Sequence, residues 1–339
     1  MAKSRVFVTR VILDQGMSLL SGFCDADVWL GELPPGREVI LERARGVDGL
    51  LCLLTDTIDG GIMDAIGPQL KVISNHAVGY DNIDVPSATA RGIPIGNTPG
   101  ILTDATADMA FALLMAAGRR VVEGDRIVRA GGWKTWSPSF MLGADFAGAT
   151  LGIVGFGRIG RAVARRATGF GMRILYYDPS PAAPEPGVAA EPVDLDALLR
   201  AADFVSIHTP LNDETRHLVD AAFLARMKPT AILINTARGP IVDQKALYDA
   251  LKSRRIFAAG LDVTDPEPLP ADSPLLELDN LVVCPHIASA SWATRARMSL
   301  LAAENLLAGL KGERLPHCVN PEVYSATLNP VPFKSASDC

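Results

Sequence analysis

The chain has 339 residues, 48% of them hydrophobic and 21% charged, with a formal charge of −6. That length suggests two domains, each able to bury its own core. The acidic balance argues against broad binding to nucleic acid or anionic membrane, and no apolar run is long enough to span a bilayer. Five cysteines form no CxxC pair, and five histidines show no paired ligand spacing. Reduced thiols, no metal site and a cytoplasmic location are therefore expected.

Residues 1–98 alternate short apolar runs with helix-like segments. RVFVT (5–9), DGLLCLL (48–54), LKVIS (70–74) and IPI (93–95) read as strands, while REVILERARG and GGIMDAIG have helical spacing. The alternation predicts a small parallel sheet with helices on its faces. It carries no glycine fingerprint. Two loops follow strand ends, where ligands of open α/β sheets gather: Leu53-Leu54-Thr55-Asp56 and Asn75-His76-Ala77-Val78-Gly79-Tyr80-Asp81-Asn82. Gly79 could let backbone N–H groups face an anion. An ordinary strand-to-helix turn capped by Asp81 or Asn82 fits the same residues.

An Ala-rich apolar helix is predicted from Ile101 to Arg120, capped by Thr103 or Asp104. Its apolar residues cover more than one face, which suggests burial between domains or subunits. The following loop carries Trp133, Trp136 and Phe140, aromatics suited either to an interface or to packing on their own domain.

LGIVGFGRIG (151–160) gives a strand, then the turn Gly155-Phe156-Gly157-Arg158-Ile159-Gly160, then a helix. RILYYD reads as a second strand ending at Asp178. Each part has a physical reason in dinucleotide binding. Gly155 permits the tight turn, Gly157 lets backbone approach a pyrophosphate, and Gly160 lets helix and strand pack closely. The helix N-terminus offers free N–H groups to the phosphates. An acid roughly 20 residues on accepts from the ribose 2′-OH of NAD and repels the 2′-phosphate of NADP. No Arg or Lys follows Asp178 in DPSPAAPEPG, so NAD is the expected preference.

Further strands are predicted at 204–208, 231–235, 257–262 and 281–284, separated by helix-like runs. PAAPEPG (181–187) reads as a surface loop. The last helix, SWATRARMSLLAAENLLAGLKG, is marked at its end by Gly309 and Gly312, and the tail after it looks loosely ordered. Successive strand ends carry Arg238, then Asp262 and Glu267, then His286. In a parallel sheet those ends share an edge with the glycine turn, so they could converge on a nicotinamide. Arg238 is a permanent cation with a planar fork, able to bind a carboxylate and polarise a ketone. His286 can donate a proton to the oxygen as hydride reaches the carbon. Glu267 beside it would favour the imidazolium. Asp262 could hold the carboxamide or ribose of the nicotinamide. His208, His217 and His317 read as structural or surface residues.

With VGYDNID, the fingerprint and Asp178, NTARGPIVD, LDVTDPEP and PHIASAS, the chain resembles the D-isomer-specific 2-hydroxyacid dehydrogenase family over nearly its whole length. Within it, GLLCLLTD, LTDATADMAFALL, GGWKTWSP and MSLLAAENLLAGL look most like glyoxylate/hydroxypyruvate reductases. The resemblance implies two doubly wound parallel-sheet α/β domains. A Rossmann cofactor domain, residues 101–287, is inserted into a flavodoxin-like substrate domain, residues 1–100 and 288–339. It implies Arg238, Glu267 and His286 as the catalytic set. It extends the cofactor contacts beyond the fingerprint and Asp178 to Thr209, Pro210, Thr215, Thr236, Ala237, Asp262, Ala288 and Ser289. It implies substrate contacts from Leu54, His76, Val78 and Gly79, and a homodimer in which Trp136 reaches the partner's site.

Val78 stands where phosphite dehydrogenases carry Lys, and Glu267 where formate dehydrogenases carry Gln. Many glyoxylate reductases have Arg, or Ser-Arg, in place of Asp178-Pro179 and prefer NADPH, so NADP remains possible. Ala288 replaces the usual Gly. The expected activity is reduction of glyoxylate, hydroxypyruvate or a similar small 2-oxo acid. The alternatives are a dinucleotide-sensing scaffold like the family's corepressors, or a related dehydrogenase with another substrate such as phosphite.

Overall fold

A computed structural model describes residues 3–180 and 184–325. The chain divides into two units, one formed by Met1–Leu102 with Ser291–Cys339, the other by Thr103–Ala290.

The first unit contains β1 (Ser4–Val8), α1 (Asp14–Phe23), β2 (Cys24–Val28), α2 (Arg37–Arg43), β3 (Gly49–Cys52), α3 (Gly60–Ile66), β4 (Val72–Asn75), α4 (Val85–Ala90) and β5 (Ile95–Gly96). All strand pairs are parallel and the order is β2-β1-β3-β4-β5, the flavodoxin-like arrangement. The central strands β3 and β4 are buried at every position, as a sheet covered on both faces requires. One core joins the sheet to α2, α3 and α4 through Ile40, Ile62, Met63 and Ala88. The other joins it to α1 and to the last helix of the chain through Leu20, Ala302 and Leu306.

The second unit contains α5 (Thr103–Gly118), α6 (Val121–Arg129), β6 (Thr150–Val154), α7 (Arg158–Thr168), β7 (Arg173–Tyr177), β8 (Ala190–Pro192), α8 (Leu195–Ala201), β9 (Phe204–Ile207), α9 (Ala221–Arg226), β10 (Ile232–Asn235), α10 (Gln244–Lys252), β11 (Ala258–Leu261) and β12 (Leu281–Val283). The final helix, α11 (Trp292–Leu310), belongs to the first unit. The seven strands are parallel in the order β12-β11-β10-β9-β6-β7-β8. The order reverses at β6, so the glycine turn leaves the sheet at its switch point, where such sheets bind ligands.

Several sequence expectations shift. The helix expected over Ile101–Arg120 is α5, ending at Gly118 because Arg120 takes a left-handed φ of 54°. It keeps one exposed stripe, Asp104, Asp108, Ala112 and Met115, and packs against β10, β11 and α7. β2, α6 and β8 were not expected. CDADV and AEP lack an apolar run because both are edge strands, and VVEGDRIVR buries none of its residues. Asp84, not Asp81 or Asn82, caps the helix after the second loop, accepting from the Ser87 N–H. Gly309 lies inside α11 rather than at its end, against Val72 of β4. The expected surface loop at 181–187 and the expected loose tail fall partly outside the described residues.

Candidate active site

β6 hands the chain to Gly155, which turns with φ +93°. A Cβ there would sit 2.6 Å from the His208 carbonyl carbon, so only glycine serves. A Cβ on Gly160 would press on the Gly155 carbonyl oxygen; its absence lets α7 lie against the turn. Gly157 differs. It is the N-cap of α7, has no side-chain cap, and nothing lies within 4 Å of where its Cβ would be. Uncapped N–H groups beside open space make an anion site.

Phe156 is buried, stacked on Tyr176 with centroids 3.8 Å apart, while Arg158 is exposed and Ile159 half-buried. Asp178, one residue past β7, accepts from the Phe156 N–H at 2.7 Å through Oδ2 and from the Ser180 N–H at 2.8 Å through Oδ1. The carboxylate thus holds the glycine turn against the end of β7. At neighbouring strand ends, Thr209 and Thr215 both donate to the Pro210 carbonyl. Ala288 and Ser289 are buried. Thr236 is also buried, yet its Oγ1 has no hydrogen-bond partner among the described residues. An orphan hydroxyl, an uncapped helix end and a carboxylate at the switch point fit a nicotinamide dinucleotide. Residues Gly155–Gly160 would meet the pyrophosphate, and Asp178 a ribose.

The polar cluster is built by the next strands. Asn235, fully buried at the end of β10, accepts from the Ala237 N–H at 3.0 Å and donates to the Arg238 carbonyl at 2.8 Å. That staple bends the chain so that Arg238 leaves the sheet edge half-buried and extended. Gly239 then packs so tightly on Thr264 that a Cβ would overlap its carbonyl. This close approach joins the Arg238 turn to the loop carrying Glu267. In that loop the Thr264 N–H donates to Glu267 Oε1 at 3.0 Å, and the Thr264 hydroxyl to the Pro266 carbonyl at 2.9 Å. Gln244, at the start of α10, pairs with both the N–H and the carbonyl of Asp265.

Glu267 Oε2 lies 2.9 Å from His286 Nδ1. Burial pushes the Glu267 carboxyl up. The hydrogen bond and charge of His286, the Thr264 N–H and the Arg238 charge outweigh that and leave it below its ordinary value. His286 takes a left-handed φ of 54°, a conformation uncommon outside glycine. Asp262 holds it there. The His286 N–H donates to the Asp262 carbonyl at 2.8 Å, and the carboxylate accepts from the Ile287 and Ala288 N–H groups at 2.9 and 2.7 Å. Asp262 is fully buried, and that burial raises its pKa despite those two bonds. The structure therefore gives Asp262 a positioning task that strand-end spacing did not reveal. Asn235, Thr264 and Gln244 were likewise not singled out, since each works through backbone groups.

In the first unit, the Gly79 carbonyl accepts from Asn75 Nδ2 at 3.0 Å and the Val78 carbonyl from Asn97 Nδ2 at 2.8 Å. The N–H groups of Val78 and Gly79 find no acceptor among the described residues. Leu54 is half-buried in the neighbouring loop. His76 lies in the same loop as Val78 and Gly79. It is buried, with Nε2 3.0 Å from Ser299 Oγ of α11. Burial, reinforced by the Arg295 charge, lowers its pKa to about 4. Its Nδ1 has no hydrogen-bond partner among the described residues. His208 is held by Ser206 Oγ at 2.7 Å, and its burial lowers its pKa to about 3. Trp136 is 77% exposed, and Trp133, Phe140 and Leu142 are exposed in the same segment.

Residues 111–288 match the model of the D-isomer specific 2-hydroxyacid dehydrogenase NAD binding domain. The glyoxylate reductase of Korarchaeum cryptofilum is 56% identical over 323 residues, covering 95% of this chain and 97% of its own. The solved TT0316 protein of Thermus thermophilus superposes with a TM-score of 0.87 at 48% identity, covering 93% of this chain and 99% of its own. The NADPH-dependent glyoxylate/hydroxypyruvate reductase of Sinorhizobium meliloti, solved with citrate, gives a TM-score of 0.78 at 32% identity over 94% of this chain and 98% of its own. With this fold, this switch-point turn and these relatives, the chain is an oxidoreductase acting on a CH–OH group and belongs to the D-isomer specific 2-hydroxyacid dehydrogenase family.

Proposed function

We propose that the protein reduces glyoxylate, hydroxypyruvate or a similarly small 2-oxo acid to its D-2-hydroxy acid, with NADH as preferred reductant. The observation that carries this reading is the 2.9 Å pairing of Glu267 with His286 Nδ1, in the unit that also presents Arg238. A reduced nicotinamide, when bound, supplies the hydride. Arg238 binds the substrate carboxylate through its planar fork and draws density from the ketone. Glu267 accepts from Nδ1–H, which leaves Nε2 as the atom that carries the proton to the substrate oxygen. Val78 and Gly79 offer their N–H groups to the acid, and Leu54 bounds its substituent. Trp136 of the partner subunit completes the pocket.

The preference for NADH rests on Asp178 at the end of the second strand, where a ribose would lie, with no Arg or Lys following it in DPSPAAPEPG. The homodimer rests on the exposed Met115, Val121, Val128 and Trp136, an apolar set of the kind that marks an interface. A cytoplasmic setting accords with Cys24, Cys52, Cys284 and Cys318, all free thiols. A panel of 2-oxo acids assayed with NADH and NADPH tests the reading. Turnover of glyoxylate with a higher kcat/KM for NADH is expected; no turnover of any 2-oxo acid overturns it.

A further inference from the structure

Strands β3 and β4 keep their ladder as far as Cys52 and Asn75, and the His76 N–H still reaches the Cys52 carbonyl at 2.8 Å. Beyond that point the chain parts into the Leu53–Asp56 and His76–Gly79 loops, whose backbone groups need other partners. Side-chain amides supply them. Asn82 donates both Nδ2 hydrogens across the gap, to the Leu53 carbonyl at 3.0 Å and the Asp56 carbonyl at 2.9 Å. Its Oδ1 accepts from Asn75 Nδ2 at 3.0 Å, and Asn75 Nδ2 also donates to the Gly79 carbonyl. Asp56 closes its own loop by accepting from the Leu53 N–H at 2.8 Å and from Thr9 Oγ1. Asn75 and Asp56 are buried, and Leu53, Gly79 and Asn82 half-buried, so water reaches these groups only in part.

We propose that Asn82 is a positioning residue for the substrate: it registers the Leu54 loop against the Val78–Gly79 loop and so sets affinity for the 2-oxo acid without touching it. The inference rests on the proposed function, in which those two loops meet the substrate. Only a primary amide suits the place, because the bonds need two donors and one acceptor at one reach. Aspartate has the same size but would turn acceptors toward two carbonyls. The loops meet the acid away from the reacting atoms, so what they contribute is shared by ground and transition states. Its loss raises KM and spares kcat. The cofactor turn, Arg238, Glu267 and His286 all belong to the other unit.

Steady-state kinetics of Asn82→Asp and Asn82→Ala with glyoxylate and NADH, with hydrogen–deuterium exchange over both loops, test the proposal. KM for glyoxylate is expected to rise at least about tenfold, from the loss of partly buried hydrogen bonds. The turnover number and KM for NADH should stay near wild type, and both loops should exchange faster. Asn82→Asp keeps the side-chain volume and carries the test if Asn82→Ala fails to fold. A merely structural role would lower the folded fraction and apparent kcat at unchanged KM, and that outcome overturns the proposal. Should wild type turn over no 2-oxo acid, the functional reading fails separately. Registration is then decided by exchange alone, and unchanged loop protection in Asn82→Asp overturns it.

Discussion

His286 Nδ1 and Glu267 Oε2 stand 2.9 Å apart, and the other oxygen of Glu267 is held by the Thr264 N–H at 3.0 Å. The carboxylate is thus fixed at both ends, one on backbone and one on imidazole. Its pKa lies below the ordinary value, because His286, Thr264 and Arg238 outweigh the opposing effect of burial. A lowered carboxyl pKa means that the Glu267 carboxylate stays charged below the usual carboxylate range, and the stability it contributes is lost only as pH falls through the depressed value. Glu267→Gln keeps the shape and removes the charge. It is expected to lower kcat/KM for reduction at neutral pH by about 100-fold and to move the alkaline limb of the pH profile to lower pH. An unmoved limb would remove Glu267 from the mechanism.

Much of this cluster was legible because chemistry-bearing side chains sit at the ends of apolar strands. Arg238 follows ILIN, and His286 lies shortly after LVV. The glycine turn was legible for the same reason, with a strand and a helix flanking it. What the sequence hides is backbone work. Nothing in GLDVTD signals that Asp262 would turn inward to hold the Ile287 and Ala288 N–H groups, since a strand-end aspartate is equally at home facing a ligand. The surroundings of His76 were hidden for a similar reason: its loop is half-buried at Val78 and Gly79, while packing of α11, distant in the chain, buries the imidazole beside Ser299. The edge strands β2 and β8 escaped notice because exposure removes the apolar run by which inner strands are known.

Arg238→Ala is expected to lower kcat/KM by about 1,000-fold or more, since it removes the guanidinium proposed to hold the acid and polarise its ketone. Arg238→Lys should recover little, because an ammonium cannot reproduce the planar two-point grip. Circular dichroism should stay native in both, as Asn235 shapes this turn through the Arg238 main chain rather than its side chain. Near-wild-type rates would refute the assignment.

Buried His76 and half-buried His208 give the protein a specific acid sensitivity. His76 titrates near pH 4 and His208 near 3, both lowered chiefly by burial, whereas an unfolded histidine titrates near about 6.5. Between those values the unfolded chain binds protons that the native state does not, so stability falls as pH falls through that window and is unaffected above it. For His76 the full effect is about 3 kcal/mol. Thermal melts between pH 7 and 4 should show Tm falling with acidity. His76→Asn and His208→Asn should each flatten the dependence. A pH-independent Tm over this range contradicts the burial argument.

Asp178→Asn should narrow the gap between the two cofactors, raising kcat/KM with NADPH about tenfold relative to NADH, because a negative charge no longer opposes the 2′-phosphate. The substitution keeps an oxygen for the Phe156 N–H but loses one of two charge-assisted bonds. A stability loss of about 1–2 kcal/mol should accompany it. An unchanged ratio of cofactor specificities would locate the discrimination elsewhere in the chain.

Two glycines separate what the turn does for the fold from what it does for the cofactor. A Cβ at Gly239 overlaps the Thr264 carbonyl, a backbone atom that cannot swing away. Gly239→Ala must therefore pry the Arg238 turn from the Glu267 loop, and a destabilisation of about 1–3 kcal/mol with a large fall in kcat follows. At Gly157 the situation is reversed. Its φ of −72° suits any residue and its Cβ would meet nothing within 4 Å. Gly157→Ala should melt at the wild-type temperature or slightly above, since it stiffens the unfolded chain without strain. If the open space beside the uncapped end of α7 is where the pyrophosphate lies, the same methyl group should weaken NADH binding at least about tenfold by calorimetry. Unchanged Tm together with unchanged NADH affinity would mean that the phosphates rest elsewhere, because nothing but a ligand competes with alanine for that volume.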